Sequence, residues 1–95
     1  MIAIAELHAE IAARLPVQHQ ALLEVRLLGE GGLHFRVDGP RCLSNIGVWP
    51  SGCCDVEYLC VESASGDFQH FEFASVAEAV EPVLREIRAA VERAR

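Results

Sequence analysis

Four cysteines, Cys42, Cys53, Cys54 and Cys60, and four histidines, His8, His19, His34 and His70, hold the widest range of chemistry in this chain. Structural zinc sites favour C-x2-4-C pairs or paired histidines. Here the cysteines are spaced eleven, one and six positions apart and the histidines stand singly. That spacing predicts no metal site and no bound cofactor. A cysteine nucleophile needs a base and a group to orient it. His70 is the one histidine that a neighbouring strand could bring near Cys53 or Cys54. Asp55 with Glu57, and Glu62 with Asp67, are spaced for acid–base work. Carboxylates at period two on a strand more often solubilise its outer face. There is no G-x-S-x-G, P-loop, G-x-G-x-x-G or H-E-x-x-H. Gly29–Gly32 lies between two strand patterns, so it offers no helix N-terminus to a phosphate. A binding protein is expected, not an enzyme.

The elements that must carry these residues follow from periodicity. Ile4, Leu7, Ile11 and Leu15 recur at helical steps, with Glu6, Glu10 and Arg14 on the wet side and Pro16 as the stop. Residues 21–28 and 33–37 alternate at period two around Gly29–Gly32, which predicts a hairpin. Asp38-Gly39-Pro40 breaks the chain before a third strand, Leu43 to Trp49. Pro50-Ser51-Gly52 turns it into a fourth, Cys53 to Val61. There Cys54, Val56, Tyr58 and Cys60 make an apolar row and Asp55 and Glu57 face the other way. Glu62 to Asp67 reads as a polar loop and Phe68 to Phe73 as a fifth strand. Ser75 with Glu78 forms a capping box ahead of the stripe Val76, Val80, Val83, Leu84, Ile87 and Val91. Glu81/Arg85 and Arg88/Glu92 sit at i,i+4 on the opposite face. Pro82 is expected to kink this helix or to start it.

Short turns between consecutive strands predict an α+β fold. It is an antiparallel four- to five-stranded meander with the N- and C-terminal helices packed on one face. Its 95 residues make one domain. Hydrophobic residues are 52% of the chain and charged residues 23%, which excludes disorder. The net charge is −6 and all eight basic residues are arginine, with no basic run to hold a nucleic-acid backbone. No apolar run is long enough to cross a membrane. The N-terminus lacks a basic segment and meets Glu6 early, so no signal peptide is expected. A cytoplasmic protein with reduced thiols follows as the expectation.

With catalytic groups unassembled, a surface is the candidate. Trp49 beside carboxylates on the fourth and fifth strands predicts a protein-binding patch. Trp is favoured at hot spots, and acidic charge steers a basic partner. The residues are Asp55, Glu57 and Glu72 at the centre, flanked by Trp49, Ser51, Glu62, Asp67 and His70.

The stretch Ile46-Gly47-Val48-Trp49-Pro50-Ser51-Gly52-Cys53-Cys54-Asp55-Val56-Glu57, then Ser65-Gly66-Asp67 and His70-Phe71-Glu72-Phe73, resembles the bacterial TriTu immunity-protein family. The resemblance covers Ile46 to Phe73. It differs from the family pattern at Pro50 and Cys53, where acidic residues are expected. It implies an antidote, acting inside the producing cell, to a secreted toxin of type VI or contact-dependent systems. The toxin domain implied is an ADP-ribosyltransferase acting on elongation factor Tu, and the antidote occludes its active site as a monomer in the complex. A rival expectation is a small acidic secretion chaperone or adaptor for an effector protein.

Overall fold

The computed structural model describes residues 1–95, the side chain of Glu30 excepted. The chain runs α1 (Ile4–Arg14), α2 (Val17–Gln20), β1 (Leu23–Leu27), a 3-10 turn (Gly29–Gly31), β2 (Leu33–Asp38), β3 (Cys42–Val48), β4 (Cys53–Cys60), β5 (Ser65–Glu72) and α3 (Val76–Ala94). The five strands form one sheet in sequential order, every pair antiparallel. The expected α+β meander is therefore the fold.

Both long helices lie on one side of the sheet. Leu7 and Ile11 from α1 join Leu33, Phe35, Ile46 and Val48 from the sheet and Val83, Leu84 and Ile87 from α3 in a single buried cluster. A smaller cluster of Val37, Ala90, Val91 and Ala94 closes the far end. There Arg93 lies 4.0 Å over the Tyr58 ring and donates to the hydroxyl of buried Ser44. The cation–aromatic contact lets a charged residue cap the core.

The start of α3 is fixed by its sequence signal. Ser75 Oγ accepts from Glu78 N at 3.2 Å, and Glu78 Oε2 accepts from Ala74 N at 2.7 Å. The first bond satisfies a donor that the first turn leaves without a helical partner, and the second ties the residue before the cap to that turn. The helix starts at Val76 and continues through Pro82, so Pro82 does not start it. Glu81 pairs with Arg14 of α1, not with Arg85, and Glu92 pairs with Arg95. The expected pairs on α3 are thus replaced by one tie between helices and one at the chain end.

Two further expectations are corrected. The fifth strand starts at Ser65, not Phe68, because Ser65, Gly66 and Asp67 pair with Cys60, Leu59 and Tyr58. Asp67 is therefore a strand residue rather than a loop residue. The cysteines are not all reduced: Cys42 and Cys60 form a disulfide. They are directly opposed in the β3–β4 register, which brings them within bonding reach despite their sequence separation of 18.

Candidate functional site: the open face of the sheet

The face of the sheet away from the helices is built in rungs, which the register defines. At one end Leu43, Leu59 and Gly66 stand in line across β3, β4 and β5. Next come Asn45, Glu57 and Phe68, then Gly47, Asp55 and His70. Cys53 and Glu72 complete the other end. Alternation along β4 is the cause: with Cys54 and Val56 buried under the helices, Cys53, Asp55, Glu57 and Leu59 must point the other way.

Trp49 belongs to this face. A Cβ placed on Gly47 would stand 2.7 Å from the indole ring, and one on Gly32 would stand 2.9 Å from its Nε1. The indole thus lies where the side chains of those two residues would be. Glycine at position 47 leaves the room for it. The turn after Trp49 is closed by Gly52 N donating to Trp49 O. Gly52 has φ +96°, and a Cβ there would collide with the Phe73 carbonyl oxygen. Only glycine meets both demands without strain.

At the Trp49 end the polar groups interlock. His70 Nδ1 lies 2.7 Å from Asp55 Oδ1, and His70 Nε2 lies 3.9 Å from Glu72 Oε2. Cys53 Sγ joins them: ligand atoms of Cys53, His70 and Glu72 all fall within 4.8 Å of one another. The neighbouring thiol is different. Burial, then the charges of Asp55 and Glu86, push the Cys54 thiol up to about 12, so it stays protonated and inert.

At the other end the face is apolar. Leu59 is 57% exposed and Phe68 59%. With Leu43, Asn45, Glu57, Tyr58, Gly66 and Asp67 they line a shallow depression of about 630 Å³. Across β1 and β2 the same face carries paired charges: Arg26 bonds Glu24, and Arg36 lies 3.7 Å from Asp38.

The expected patch is therefore assembled in part. Trp49, Asp55, Glu57, His70 and Glu72 share the open face. Exposed Ser51 sits in the adjoining turn, where its Oγ accepts from Cys53 N. Glu62 falls away from it, in the turn at the opposite end, 3.9 Å from Arg41. Asp67 is in register with Tyr58 and shares the parity of the helix-side row, yet it borders the apolar depression beside Phe68. Leu59, Phe68 and Cys53 were missed as site residues. The signal was present for Leu59, which shares the parity of Asp55 and Glu57. For Phe68 it required the β4–β5 register.

Compared with known protein families, with curated proteins and with solved structures, the chain matches none. Among the described residues, no helix is long and apolar enough to cross a membrane.

Proposed function

We propose that this chain is a protein-binding domain that docks a partner on the open face of β3–β5. One observation carries the reading: on that face exposed Leu59 and Phe68 adjoin Glu57, and the half-buried Trp49 indole lies over Gly47, in the rung of Asp55 and His70. Aromatic and aliphatic anchors beside steering charge are the composition of a protein interface. The acidic half of the face, on a chain of net charge −6, favours a partner with a basic cleft.

The TriTu-like segment gives that partner a class: the ADP-ribosyltransferase domain of a secreted toxin acting on elongation factor Tu. A cleft that binds the pyrophosphate of NAD needs cationic groups, and carboxylates on a flat face can cover them. On this proposal the protein inhibits by occlusion, performs no catalysis itself, and acts in the cytoplasm. The Cys42–Cys60 bond would be open to reduction there.

Calorimetry with an ADP-ribosyltransferase toxin domain of that class tests the proposal. A one-to-one complex is expected, with roughly nanomolar or tighter affinity. The Asp55→Ala/Glu57→Ala and Phe68→Ala variants should each bind more weakly while keeping their fold. Absence of binding, or unchanged affinity in both variants, overturns it.

A further inference from the structure

We propose that Cys53, His70 and Glu72 form a zinc site on the open face, with Asp55 holding His70 in place. The inference concerns the chain alone and does not depend on any partner.

The geometry starts at the histidine. A carboxylate only accepts, so the 2.7 Å bond between His70 and Asp55 puts the ring proton on Nδ1. In the neutral ring the lone pair then lies on Nε2. That atom faces Glu72 Oε2 at 3.9 Å, too far for a hydrogen bond. Two acceptors thus face each other across a gap, with the Cys53 thiol beside them. A divalent cation would be shared by all three.

The ligand set is mixed sulfur, nitrogen and oxygen, which suits zinc better than magnesium or calcium. Around a tetrahedral zinc, with bonds of roughly 2.0–2.3 Å, ligand atoms stand about 3.3–3.8 Å apart. The present spread, within 4.8 Å, closes by about an ångström. The Glu72 side chain, 78% exposed, is free to make that movement. The backbone need not move, because Cys53/Glu72 and Asp55/His70 are adjacent cross-strand pairs of one antiparallel ladder. Asp55 supplies the outer-shell carboxylate that a zinc-bound histidine ordinarily has. Three protein ligands leave a fourth position open to solvent.

The test uses the tag-free, disulfide-bonded protein, so that Cys42 and Cys60 cannot ligate. Zinc is titrated with a chromophoric chelator as competitor, and cobalt is then substituted as a spectroscopic probe. One equivalent of zinc per chain is expected, with thiolate-to-cobalt charge-transfer absorption. Cys53→Ser should abolish that absorption. His70→Gln and Glu72→Gln should each weaken uptake more than the positioning variant. That variant, Asp55→Ala, should lose roughly 10–100-fold in affinity while keeping the thiolate–cobalt band. Glu57→Gln, one rung away, should bind as the parent does. Absence of stoichiometric uptake, a cobalt band that survives Cys53→Ser, or unchanged affinity in His70→Gln overturns the site. If the Cys53 variant fails to fold, the other two ligand variants still decide.

Discussion

Cys53 and Cys54 are neighbours in sequence and opposites in chemistry, because a strand sends successive side chains to opposite faces. Cys54 is 1% exposed, wedged in the core, and burial holds its thiol in the protonated form. Cys53 is half-buried on the open face. Alkylation of the folded, unreduced protein should therefore modify Cys53 and spare Cys54, with Cys42 and Cys60 protected as a disulfide. Peptide mass mapping checks this, and rapid modification of Cys54 would contradict its burial. Trp49 offers a second test at the same scale. It is the single tryptophan, so its fluorescence reports its seat directly. A methyl group on Gly47 would stand 2.7 Å from the ring and must displace it. Gly47→Ala should shift the emission maximum to the red and cost roughly 1–3 kcal/mol in stability. An unchanged spectrum would mean the indole does not lie over Gly47.

Among the elements, legibility in the sequence followed how local each signal was. The third helix was readable at both levels, because the Ser75/Glu78 box marks its start and the valine-leucine-isoleucine stripe marks its buried face. Ser75→Ala removes the acceptor for Glu78 N and should cost about 1 kcal/mol, read as a lowered midpoint in urea. A variant as stable as the parent would show that the cap contributes nothing. The short helix Val17–Gln20 was not readable, since four residues carry no period. The start of β5 was misread because Ser65-Gly66-Asp67 has the composition of a turn. The actual turn is shorter, at Val61–Ala64, with Ala64 at φ 50°. What failed most was anything that needs strand register. The acidic parity of β4 is local and was read correctly. The disulfide and the Cys53/His70/Glu72 trio join residues far apart in sequence, and no spacing rule for contiguous motifs finds them. Asp67 shows the same dependence on register: the shorter loop puts it on the strand, in the parity row opposite Asp55 and Glu57, although it still borders the depression at Phe68.

For the molecule as a whole, the sheet divides the labour. One side is filled by helices and holds the fold, and the other is left to a flat surface. The disulfide sits at the edge of the helix-covered side, where Cys42 is buried, and ties the start of β3 to the end of β4. In the chain-entropy view it restricts the unfolded chain more than it strengthens the native one, and a closed loop of this size contributes roughly 3 kcal/mol. Most small domains have about 5–15 kcal/mol in total, and the buried cluster joining α1, α3 and the sheet does not include the bridged pair. The reduced protein should therefore stay folded, with its open face intact. Its melting temperature should fall by roughly 12–24 °C, at about 4–8 °C per kcal/mol for a chain of this length. Thermal melts with and without reductant, with the thiol count confirming reduction, measure the difference. Unfolding on reduction alone would show that the disulfide, rather than the helix-covered core, is what keeps this sheet together, and it would exclude activity in a reducing compartment.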